Sequence, residues 1–182
     1  FMVLVQEVID AVVMLAAVAY IFSDVFSRDR RSFRDTFFDA LLIAGPAILL
    51  HEAAHKIVAV SFGFEATFHA SYIFLGLGVI LKLLSSGFIF FVPGFVSFSC
   101  IGGCVPGLPI ALVSLAGPAV NGVLYLWARW YESRARSSRA LLIARGTRRL
   151  NGFLFVFNMI PIPLFDGFKV YEGLFYFLKG LL

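Results

Sequence analysis

The chain has 182 residues, of which 60% are hydrophobic and 14% are charged, and its formal net charge is +4. Together with a mean hydropathy of +0.93, this composition is typical of a protein with several membrane-spanning segments and excludes an ordinary soluble domain. The sequence has no basic helix interleaved with aromatic stacking residues, so it gives no support for nucleic-acid binding.

The first predicted element is a membrane-spanning helix over residues 1–22, whose only charged side chains are Glu7 and Asp10. It lacks the basic start and the small-residue cleavage site of a signal peptide, so we expect a spanning helix that is not removed. A polar link follows over residues 23–36 and carries several arginines.

The second predicted helix, residues 37–61, contains the sequence HEAAH at residues 51–55. Histidines four positions apart project from one face of a helix, which lets both imidazoles bind one zinc ion. Glu52 is placed to take a proton from a water activated by that ion. Ionisable groups inside a spanning segment are costly and usually functional, which favours a metal site over a chance motif. Gly45-Pro46 should bend the helix before this motif.

The hydrophobic pattern changes after this helix. Residues 64–71 alternate between apolar and polar side chains, which predicts a short strand. Residues 72–91 are apolar but interrupted by glycine, lysine and serine, so we expect them to be re-entrant or not to cross the membrane. Residues 88–98 predict two β runs around Pro93-Gly94, either as a re-entrant hairpin beside the metal site or as a loop at the membrane surface.

The third predicted helix, residues 108–130, is rich in small residues that permit close packing of helices. Its Asn121 can form a hydrogen bond to a neighbouring helix. Aromatic residues mark its end at the membrane surface: Trp127, Trp130 and Tyr131.

A basic link follows, and its apolar stretch at residues 140–143 indicates a partly helical segment at the membrane interface. The fourth helix begins near Leu150 and should be broken by Pro161 and Pro163, after which residues 168–182 form a last helix. The expected fold is an all-α polytopic membrane protein of about four to six transmembrane helices, with a short membrane-associated β hairpin or re-entrant segment.

A catalytic zinc ion usually has three protein ligands, so two histidines leave the site one ligand short. The remaining candidates are Asp166, His69, Glu65, Cys100 and Cys104. Asp166 is preferred because it is a carboxylate in an apolar stretch, beside helix-breaking prolines and a glycine that permits close approach. The alternative is that Asp166 caps the start of the last helix.

The HEAAH motif and the later sequence NMIPIPLFDG at residues 158–167 resemble the paired motifs of the site-2 protease family of intramembrane zinc metalloproteases. The resemblance covers residues 37–167, including the small-residue stretch at 116–121, and departs from the family in having Phe165 where leucine is common. It implies one Zn²⁺ per chain and the following site residues: His51, His55 and Asp166 as metal ligands, Glu52 as catalytic base, and Asn158 to position the substrate or stabilise the oxyanion.

The resemblance also implies an activity, which is cleavage of transmembrane segments of membrane-protein substrates within the lipid bilayer, in regulated intramembrane proteolysis. The chain would be a single membrane-embedded metalloprotease core over residues 1–182, made of a first span and basic link (1–36), a catalytic core (37–167) and a terminal helix (168–182). We expect a multi-pass protein of the cell membrane. The arginine-rich links favour a cytoplasmic face away from the metal, whereas the resemblance implies a metal site nearer the cytoplasm, and we adopt the latter.

Two other classes of protein could use the same side chains. A non-catalytic membrane metal-binding protein or transporter would need the buried ligands but not the base Glu52. A structural or assembly factor with a degenerate motif would bind no stoichiometric zinc.

Overall fold

The computed structural model describes residues 2–25, 32–84, 93–100, 105 and 107–181. Within these residues the chain is mostly helical, with a small two-stranded sheet. Its elements in chain order are α1 (Met2–Phe22), α2 (Phe33–Ser61), β1 (Glu65–Ala70), α3 (Tyr72–Leu83), β2 (Gly94–Ser99), α4 (Leu108–Glu132), α5 (Ser138–Asn158) and α6 (Asp166–Lys179).

Among the described helices, α1, α2 and α4 are long and apolar enough to cross a membrane. They match the first three spans predicted from sequence, and α2 continues without interruption through Pro46. Their outward faces carry large apolar side chains such as Val12 of α1 and Leu126 of α4, which are 60% and 61% exposed. Exposed apolar side chains of this kind suit contact with lipid, as expected of a membrane protein.

Helix α5 differs from the prediction, because it begins at Ser138 rather than near Leu150. The side chain of Ser137 caps its start by accepting a hydrogen bond from the Ala140 amide at 3.1 Å. Two of its arginines, Arg145 and Arg148, pair with Glu132 at the end of α4. These arginines obscure the helix in a hydropathy pattern, so the basic segment and the fourth helix are one element. A count of about four to six spans stays a prediction.

The strand predicted over residues 64–71 is confirmed as β1. It pairs antiparallel with β2, with Glu65 opposite Ser99 and Ala70 opposite Gly94. The second of the two predicted β runs is therefore β2, and the first, residues 88–92, lies outside the described residues. Between the strands, α3 has 12 residues. At 1.5 Å per residue it is about 18 Å long, too short to cross ~30 Å of hydrocarbon.

Helix α4 packs against α2, α5 and α6, whereas α1 packs against α2, β1 and α3. A core cluster joins α1, α2, the sheet and α3 through side chains that include Met14, Ile48, Phe68 and Leu75. Helix α2 also contacts both strands. The HEAAH segment of α2 therefore lies between α4 on one side and the sheet on the other.

Candidate metal centre

Three side chains from two helices converge on one point. The Nε2 atoms of His51 and His55 on α2 lie 3.1 Å apart. Oδ2 of Asp166, the first residue of α6, lies 3.2 Å from the first of these atoms and 3.3 Å from the second. Tetrahedral zinc with bonds of about 2.0–2.1 Å separates its ligand atoms by about 3.3–3.4 Å. The triangle of nitrogen and oxygen atoms therefore fits three protein ligands of one zinc ion.

Hydrogen bonds on the far side of each ring set the orientation of the imidazoles. Nδ1 of His55 lies 2.7 Å from the backbone carbonyl oxygen of Val113, and because a carbonyl only accepts, this nitrogen carries the proton. Nδ1 of His51 donates in the same way to Oδ1 of Asn121, at 2.6 Å. Both rings are therefore protonated at Nδ1, and the lone pair of each Nε2 is directed at the point where Asp166 also converges. Metal ligation through Nε2 requires this tautomer.

Asn121 is itself held in place by two further hydrogen bonds. Its Nδ2 donates to the backbone oxygen of Ala47 and to Oδ1 of Asn151, both at 2.9 Å. Asn151 on α5 in turn donates to the backbone oxygen of Thr147 at 2.8 Å. With its amide nitrogen committed, Asn121 presents its oxygen to His51. The sequence predicted a helix–helix contact for Asn121 but not its role in orienting a candidate metal ligand.

Gly117 of α4 faces the two histidines and keeps the space in front of them open. A Cβ atom at this position would lie 2.7 Å from both Nε2 and Cε1 of His51, and would also clash with Nε2 of His55. Any residue other than glycine would place carbon where the lone pairs converge. Gly117 therefore leaves room for a small ion in front of the two rings, whereas the sequence identified it only as a small packing residue.

The candidate catalytic residues lie in the same cavity, which has a volume of about 370 Å³. Its lining includes the three ligand side chains together with Glu52 and Asn158, the last residue of α5. Residues of β2 form another part of its wall. The structure thus brings together all five side chains that the sequence selected. Phe165, the departure from the common motif, stacks edge-on against Phe157 at 4.4 Å and supports the turn before Asp166.

Among the described residues, the other candidates for the third ligand do not join this group. His69 forms a 2.9 Å hydrogen bond with Oγ of Ser97 across the sheet, and Glu65 is exposed at the start of β1. Cys100 is disulfide-bonded and so offers no thiolate, and Cys104 lies outside the described residues. Asp166 is not a helix cap either, because Phe165 occupies the cap position of α6.

Comparison with known proteins gives one informative relative. The chain is 34% identical over 167 residues to a protein of Methanocaldococcus jannaschii named "Putative zinc metalloprotease". The matched region spans 91% of this chain and 83% of that protein. No protein-family model matches the chain. No solved structure matches it.

Proposed function

Because the chain belongs to the same family as the M. jannaschii protein named "Putative zinc metalloprotease", we propose that it is an intramembrane zinc endopeptidase of the site-2 protease type. The observation that carries the proposal is the convergence of His51, His55 and Asp166 on one point, with Glu52 in the same cavity. The helix that bears three of these residues is apolar and long enough to span a bilayer. We place the enzyme in the cell membrane, with its site nearer the cytoplasmic face and transmembrane segments of other proteins as substrates.

In this mechanism His51, His55 and Asp166 would hold the zinc ion. A zinc ion held there would supply Lewis acidity, for activating a water near neutral pH and for polarising the scissile carbonyl. Glu52 takes a proton from the attacking water and delivers it to the leaving nitrogen. The C–N bond then breaks, and the oxygen of the water remains in the new carboxyl group. The amide of Asn158 donates a hydrogen bond to the substrate carbonyl oxygen as negative charge develops on it.

A helical substrate must lose its internal hydrogen bonds before any of its peptide bonds can be attacked. An exposed strand edge beside the site would replace those bonds by pairing with the extended segment. Val96 and Phe98 of β2 line the same cavity as Glu52, which supports this assignment. Val96→Pro should therefore slow cleavage of a helical substrate more than cleavage of a short extended peptide. Equal effects on both substrates would count against strand pairing.

Glu52→Gln tests the proposed chemistry directly. The variant keeps the size of the side chain and all three ligands, so it should bind one zinc per chain, as the wild type does. Its turnover of a single-span peptide in lipid vesicles should fall by about 10²–10⁴-fold, the usual contribution of a positioned base. Glu65→Gln, an exposed glutamate on β1, is the matched control and should retain wild-type turnover.

The outcomes separate the protease from the alternatives. Cleavage at the wild-type rate by Glu52→Gln would remove the proposed mechanism. Wild-type protein that binds zinc stoichiometrically but cuts no single-span peptide would favour a metal-binding protein or transporter. Wild-type protein without zinc would favour a structural factor.

A further inference from the structure

Two carboxylates of α1 take no part in the metal group, yet both are buried. Glu7 is 9% exposed and Asp10 is 3% exposed, in a helix that is otherwise almost wholly apolar. Charged groups in a membrane span are costly and need partners. Their spacing of three residues puts them on one face of α1, and this face covers β1. The partners of these carboxylates therefore indicate what the pair does.

Both carboxylates accept hydrogen bonds from backbone amides of β1. Oε1 of Glu7 accepts from the amide of Phe68 at 2.8 Å. Oδ2 of Asp10 accepts from the amide of Ala70 at 2.9 Å. These amides are two residues apart in the strand, so they point in the same direction. The two carboxylates therefore stand where a further strand would otherwise pair with β1.

The register of the sheet shows which edge they occupy. The amide of Ser71 donates to the carbonyl of Pro93, so the odd-numbered residues of β1 face β2. The amides of Phe68 and Ala70 consequently face away from β2, towards α1. By the same alternation, the backbone groups of Val96 and Phe98, two residues that line the cavity, face away from β1.

Each carboxylate is also tied to a second element. Glu7 accepts a hydrogen bond from Lys56, the residue that follows His55 in α2. Asp10 accepts one from the hydroxyl of Tyr72 at 2.7 Å, at the start of α3. This hydrogen bond raises the pKa of the Tyr72 phenol, which favours the protonated form that donates to Asp10. Through Glu7, the sheet is thus tied to α2, the helix that carries two of the three candidate metal ligands.

We propose that Glu7 and Asp10 are positioning residues that close the outer edge of β1 and fix the sheet against the metal group. An extended substrate can then pair only with β2 among the described strands, and in a defined register. This inference rests on the proposed protease function. A substrate strand can shift along β2 and keep the same face inward only in steps of two residues, or about 7 Å. By fixing the position of the sheet, Glu7 and Asp10 determine which peptide bond of the substrate reaches the site.

The test replaces each carboxylate in the full chain with a side chain that cannot accept a hydrogen bond. Glu7→Leu and Asp10→Leu should each retain one zinc per chain and a wild-type kcat. Their KM for a panel of synthetic single-span peptides should rise about tenfold, and mass spectrometry should find products cut at additional bonds. Glu7→Gln and Asp10→Asn keep an amide oxygen that can accept the same hydrogen bond. They should cut at the wild-type bond, with a KM raised about threefold because the bond loses its charge assistance.

Asp39→Leu is the matched control, because Asp39 is another buried carboxylate, bonded to Arg139 on α5 at 2.7 Å. Asp39→Leu should lower thermal stability without changing the cleaved bond. If Glu7 and Asp10 had only a structural role, their leucine variants would behave in the same way as this control. Unchanged KM and unchanged products in the leucine variants would overturn the inference. If those variants do not fold, unchanged KM in the amide variants overturns it. A wild-type chain that cuts none of the peptides refutes the protease proposal itself.

Discussion

Gly117→Ala adds one methyl group directly in front of the candidate ligands. Its Cβ would lie 2.7 Å from Nε2 and Cε1 of His51, and would also clash with Nε2 of His55. Unstrained contacts between such atoms begin at about 3.5–4.0 Å, so the His51 ring must retreat by roughly 1 Å. Metal sites tolerate ligand displacements of about 0.2 Å. The required movement is several times larger, so we expect ligation by both histidines to be lost.

The helix itself should tolerate the change, because alanine is favoured over glycine in a helix by about 1 kcal/mol. Circular dichroism should therefore show wild-type helix content, while elemental analysis shows zinc reduced from one ion per chain to background. The affinity for zinc should fall by more than ~100-fold, which is the upper limit when only a side chain hydrogen-bonded to a metal ligand is removed.

Gly122→Ala provides the control on the same helix. Its Cβ would meet nothing closer than a ring carbon of Phe155 at 3.4 Å, so this variant should keep its zinc. If Gly117→Ala retained one zinc with wild-type affinity, the ion could not lie between these rings, and the site would have to be placed elsewhere.

Three further predictions concern the same centre. Asn121→Ala removes the acceptor for Nδ1 of His51 and should weaken zinc binding about 10–100-fold in competition with a chromogenic chelator; unchanged affinity would mean that packing alone holds the ring. Asp166→Ala should lose zinc on dialysis and lose cleavage with it, whereas full zinc occupancy would show that Asp166 is not a ligand. Chelator treatment of the wild type should abolish cleavage and added Zn²⁺, but not Mg²⁺, should restore it, because nitrogen ligands suit zinc and not magnesium.

Local patterns allowed much of the architecture to be predicted. The three described helices long and apolar enough to span a membrane follow from the length of their apolar runs, and β1 follows from its alternating pattern; both signals depend only on neighbouring residues. Helix α5 was placed too late because its first turns are basic, and hydropathy cannot distinguish an arginine in a link from one that pairs with Glu132 at the end of α4. The pairing of β2 with β1 was not predicted either. It places Ala70 opposite Gly94, which are far apart in the chain, and the tertiary fold alone sets this register.

The candidate metal centre divides in the same way. That His51 and His55 share a face, with Glu52 beside them, is a property of helical spacing, and the sequence alone determined it. Only the tertiary structure decided that Asp166 rather than His69 completes the group, and that Asn121 orients His51. It also decided that Gly117 leaves room for an ion. The contact of Glu7 and Asp10 with the edge of β1 likewise appears only in the folded chain. These contacts join residues far apart in the chain, and their geometry depends on how the helices pack. Pairing over such separations leaves no periodic signal in a single sequence.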